Sequence, residues 1–143
     1  MNALHVWMRW GVWVFALGGA LWVLKVVFIA LNDAFGRDTD ALPVPILYVS
    51  AVVLMTLGAT AVGIALLRRL PWWAQLLGAL VAVLALWTLY AALDGILKPT
   101  FEDVGPSWLH EELGILATGA ICLVIGVLLA RRIAGERPAA RAA

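Results

Sequence analysis

Gly114-Ile-Leu-Ala-Thr-Gly-Ala-Ile-Cys-Leu-Val-Ile-Gly-Val-Leu-Leu-Ala130 contains no charged side chain, and Arg131-Arg132 closes it. In front of it stands a polar doorstep, Pro106-Ser107-Trp108-Leu109-His110-Glu111-Glu112. Residues 111–130 in a helix rising 1.5 Å each would extend about 30 Å, the thickness of a hydrocarbon core. In that medium a lone segment satisfies its backbone only as a helix. Gly114, Thr118, Cys122, Gly126 and Ala130 recur every four residues. Such a row of small residues lets two helices approach closely where lipid removes the hydrophobic drive for association.

The rest of the chain resembles this stretch. Of its 143 residues, 64 % are hydrophobic and 13 % charged, with a mean hydropathy of +0.99. Soluble domains carry about 45–50 % apolar and roughly 25 % charged residues. Three further apolar runs cover residues 10–31, 46–67 and 72–93, which with 111–130 makes four spans. The predicted fold is an all-α membrane domain over residues 1–133, followed by a disordered tail over 134–143. A cleaved signal peptide fits the first run poorly, because the run exceeds the usual 7–15 residues and no small-x-small site follows. Trp72 and Trp73 stand at the mouth of the third run, where an indole can keep its N–H wet. Asp94-Gly95 is expected to end that run, with the glycine as cap. Shorter rows of small residues, such as Ala74, Gly78 and Ala82 on the third run, suggest further helix contacts.

Four spans place both termini on one side. Arg9, Arg68, Arg69, Arg131, Arg132, Arg137 and Arg141 fall there. The opposite loops and span ends hold Asp33, Asp38, Asp40, Asp94, Glu102, Asp103, Glu111 and Glu112, with only Arg37 and Lys98 against them. Arginine-rich loops remain in the cytoplasm, so the termini are expected inside and the acidic loops outside. Ala-, Arg- and Leu-rich, Lys-poor usage resembles a GC-rich bacterial genome, which points to a bacterial inner or plasma membrane.

The chain also echoes itself. Ala20-Leu-Trp-Val-Leu-Lys25 parallels Ala85-Leu-Trp-Thr-Leu-Tyr90, and Val62-Gly-Ile-Ala-Leu-Leu-Arg-Arg-Leu70 parallels Ile125-Gly-Val-Leu-Leu-Ala-Arg-Arg-Ile133. Two hairpins of equal topology would form a parallel repeat about an axis along the membrane normal. Chance similarity among apolar segments is the competing explanation.

Candidate chemistry is sparse. Lys25 lies about six residues inside the first span, where a charge is costly. It either snorkels to an acidic loop or rests on Trp22, or it serves as a buried cation. Asp94 lies one turn beyond Tyr90 and opposes its helix dipole, so Lys98 or Lys25 is a candidate partner. Glu111 and Glu112 suit a helix start behind Ser107, or they join His110, Asp94 and Asp103 in an external cation or proton site. His110-Glu111 lacks a second histidine four residues on, so a zinc-protease reading fails. Cys122 is the single cysteine and lies mid-span. No catalytic constellation, metal ligand set or cofactor motif is present in the sequence, and no basic patch suits nucleic acid.

Two functions follow as expectations. The first is an accessory or scaffold subunit that contacts other membrane proteins, or itself, through its helices and acidic loops. The alternative is a small oligomeric proton- or cation-linked transporter or channel, using Lys25, Tyr90, Asp94, His110, Glu111 and Glu112.

Overall fold

The computed structural model describes residues 3–135. They form four helices, α1 (Ala3–Ala34), α2 (Val44–Leu66), α3 (Trp72–Thr100) and α4 (Ser107–Gly135), and no strand occurs among the described residues. All four are long and apolar enough to cross a membrane. Residues 134 and 135, expected to belong to the tail, are the last of α4, and residues 136–143 lie outside the described residues.

Local chemistry explains the breaks. At the end of α1 the Gly36 N–H donates to the Asp33 carbonyl and the Arg37 N–H to the Asn32 carbonyl. Gly36 has φ +64°, the left-handed conformation that this C-terminal cap requires and that a Cβ would strain. Pro43 and Pro45 flank the start of α2, where a missing N–H is harmless. Between α2 and α3, the Leu70 N–H returns to the Leu67 carbonyl. Gln75 Nε2 then donates to the Leu70 carbonyl at 2.9 Å, tying the first turn of α3 to the turn before it.

The expected stop at Asp94-Gly95 does not occur. α3 continues through both residues and through Pro99 to Thr100. Glycine weakens a helix interior by only about 1 kcal/mol, which does not end it. Pro99 removes a single backbone bond, and the helix stops just after it. The connection to α4 therefore shrinks to residues 101–106.

α1 packs against α2 and α4, and α3 closes the ring by packing against the same two helices. Along the α1–α2 seam, Trp7 Nε1 donates to Thr60 Oγ1 at 3.1 Å near one end. Gly18 abuts Met55 further along, and Lys25 reaches Tyr48 near the other end. The α1–α4 seam is tightest where two glycines face each other. A Cβ on Gly19 would lie 2.6 Å from the Gly119 carbonyl oxygen, and one on Gly119 would lie 2.9 Å from that of Gly19. On the α2–α3 seam, a Cβ on Gly63 would overlap the backbone of Gly78. These approaches maximise dispersion contact, the force that remains between helices in lipid.

Gly114, Thr118, Cys122, Gly126 and Ala130 are all buried. Ala74 is buried too, while Gly78 and Ala82 are half-buried. The interior divides into two clusters. One contains Trp22, Met55 and Cys122; the other contains Met8, Val12, Ile64 and Ala79. Trp22 and Trp87, equivalent in the echoed segments, meet with ring centroids 6.4 Å apart.

Candidate functional site

Lys25 does not snorkel to a loop. Its Nζ donates to both Oε1 and Oε2 of Glu112, at 2.6 Å each. The side chains are 8 % and 14 % exposed, so this is a bidentate pair largely removed from solvent. α1 supplies the cation more than two turns before its own C-terminal end. α4 supplies the anion in its second turn. The glycine contacts further along the seam hold the two helices close enough for the pair to form. A charge so placed in a bilayer needs this partner, since removing the counter-ion leaves an uncompensated buried charge.

An aromatic cluster begins beside the lysine. Its Nζ lies 5.2 Å from the centroid of the Tyr48 ring, a cation–π distance. Tyr48 stacks on Trp22 at 6.2 Å and 10°. Trp22 is fully buried and touches Tyr90, 5.4 Å away. Trp87 completes the group edge-on to Tyr90 at 6.0 Å. Three helices thus converge on one patch, with α1 at its centre. Tyr90 joins the site through Trp22 rather than through the lysine.

The remaining candidates lie around this pair without bonding to it. Asp94 faces Gly114 across the α3–α4 seam, where a Cβ on that glycine would lie 2.8 Å from Asp94 Oδ1. Glu111 is exposed, so of the two adjacent glutamates only Glu112 turns inward. His110 is half-buried, and its Nδ1 finds no hydrogen-bond partner among the described residues. Trp22 Nε1, Asn32 Nδ2 and Trp108 Nε1 are likewise buried without a hydrogen-bond partner among the described residues. Asn32 lies two turns beyond Lys25 on α1, and Trp108 one turn before Glu112 on α4, so both stand above the ion pair on the helices that make it. Such orphaned groups are few in folded proteins, and they concentrate here.

Two threonine hydroxyls deeper in the bundle donate within their own helices. Thr118 Oγ1 donates to the Gly114 carbonyl at 2.8 Å and Thr60 Oγ1 to the Leu57 carbonyl at 2.6 Å. Thr88 is exposed on α3. No group of three or more histidine, cysteine or carboxylate side chains placed to hold a metal occurs among the described residues.

Sequence reading alone missed Tyr48 and the cluster it belongs to. The one signal available was Trp22, three residues before Lys25. Tyr48 becomes its neighbour only through the α1–α2 register. Fold and site together define the class, an all-helical bundle of four helices able to span a membrane, with a paired charge inside. No protein-family model, no curated protein and no solved structure matches the chain.

Proposed function

We propose that this chain is an integral protein of a bacterial cell membrane that serves as an accessory or scaffold subunit. In this reading its two helical hairpins place both termini in the cytoplasm and the acidic loops outside. The observation that carries it is the uneven burial of α3. α2 buries ten residues between Val44 and Ala65, whereas the longer α3 buries only Ala74, Ala79 and Leu86. Leu76, Leu77, Leu80, Val81 and Leu84 are all exposed, leaving an extended apolar face for another transmembrane helix. Local bonding of Thr60 and Thr118 supports the same reading, since each commits its hydroxyl proton to its own helix.

The test is the native mass of the complex after gentle extraction from the producing cell. Recovery with stoichiometric partners is expected, and a homogeneous homo-oligomer would count against the proposal.

A second reading, a proton- or cation-linked transporter, draws on the buried Lys25–Glu112 pair and the partnerless groups around it. It expects flux into sealed liposomes that Glu112→Gln abolishes, and absence of flux removes it.

A further inference from the structure

At the opposite end of the bundle from Lys25, a cleft of about 280 Å³ opens between the end of α2 and the last turns of α4. Leu66, Leu67, Arg68, Arg69, Leu70 and Arg132 line it. A smaller space of about 70 Å³ shares Leu66, Arg68 and Arg132 and continues along Ala65, Leu129 and Ile133. We propose that this cleft is a binding site for the phosphate head group of an anionic phospholipid, with an acyl chain against the adjoining leucine and isoleucine side chains.

Charge and depth both argue for that occupant. Arginines from the end of α2 and from α4 converge on one opening, and a guanidinium presents a planar fork that matches phosphate oxygens. The acidic side chains of the described residues belong to the other end, in the 33–40 and 94–112 segments, and the charged side chains among the described residues that line this opening are all arginines. A cleft of about 280 Å³ has room for a phosphate head group. Leu66 and Leu70, 64 % and 49 % exposed, give the opening an apolar border. Exposed Trp72 and Trp73 follow immediately, marking the depth at which indoles occupy the membrane interface. A soluble anion would find the arginines but would leave that apolar border unused. Basic pockets between helix ends are a known architecture for anionic lipid recognition.

The proposal rests on membrane embedding and is independent of the accessory role. Its test uses the purified full-length protein in detergent micelles, titrated with phosphatidylglycerol or phosphatidylcholine, with bound lipid counted by native mass spectrometry. Phosphatidylglycerol is expected to bind at lower concentration than phosphatidylcholine. Arg69→Gln and Arg132→Gln should each weaken it about fivefold, the effect of one basic residue at an anionic surface. Arg131→Gln removes the same charge from the neighbouring position outside the cleft and should change nothing. Arg132→Lys separates folding from recognition, because it keeps the charge and should retain most of the binding. Equal binding of the two lipids, or unchanged binding in both glutamine variants, overturns the site. Full displacement of the lipid by millimolar inorganic phosphate would also overturn it, in favour of a soluble anion.

Discussion

Lys25 illustrates how one residue can bind two helices together. Its ammonium lies inside an apolar bundle with both Glu112 oxygens at 2.6 Å and the Tyr48 ring beside it. Removing one partner strands the other, at a cost of about 3–5 kcal/mol for buried pairs. Lys25→Leu should therefore lower the thermal midpoint in micelles, followed by circular dichroism. The double variant Lys25→Leu/Glu112→Leu should recover most of that loss, because two apolar side chains of similar volume replace the pair. Equal destabilisation in the single and double variants would show that the pair contributes nothing beyond packing. The sequence marks Lys25 as costly and Glu112 as a candidate, but it leaves the partner open among several acids. Glu111 and Glu112 differ by one residue and about 100° of helical rotation, and only the α1–α4 contact selects which of them turns inward.

Among the helices, α4 is the one whose spacing can be read most directly. Its row from Gly114 to Ala130 is buried throughout, because the four-residue repeat forms a ridge that winds slowly around the helix, meeting α3 at Gly114 and α1 at Gly126. Gly119, outside that row, nonetheless packs directly on the α1 backbone at Gly19. Gly119→Leu should prevent α1 from docking, visible as loss of the monodisperse species in size-exclusion chromatography. Gly95 offers the contrasting case. It lies inside α3, and a Cβ added there would meet nothing within 4 Å, so Gly95→Ala should stabilise the fold by about 0.5–1 kcal/mol. A higher thermal midpoint would register that gain. Sequence reading treats Gly95 as a cap because it follows a charged residue. Whether a glycine ends a helix depends on its φ, and Gly36 adopts the left-handed value whereas Gly95 stays helical.

For the molecule as a whole, the asymmetry of charge defines two ends. Asp and Glu of the described residues gather toward and after the C-terminal ends of α1 and α3 and in the first two turns of α4, and arginines gather around the ends of α2 and α4. The proposed orientation predicts that a cysteine at Asp103, in a Cys122→Ala background, reacts with a membrane-impermeant thiol reagent added to intact cells. A cysteine at Arg69 should react only after the membrane is opened. The reverse pattern would invert the topology, and with it the leaflet from which the arginine cleft draws its lipid. Cys122 is buried, so the background substitution is a small change of volume at a packed position.

Hydrophobic length by itself established four helices able to cross a membrane, because the transfer of apolar side chains depends on composition and needs no partner. The small-residue row on α4 was legible for a similar reason, since its period is a property of one helix. The Lys25–Glu112 pair, the Tyr48–Trp22–Tyr90 cluster and the arginine cleft were decided only by tertiary structure. Each joins residues from different helices, and their meeting depends on axial register and rotation. Those two variables are set by side-chain packing across the seams, where Gly19 meets Gly119 and Gly63 meets Gly78.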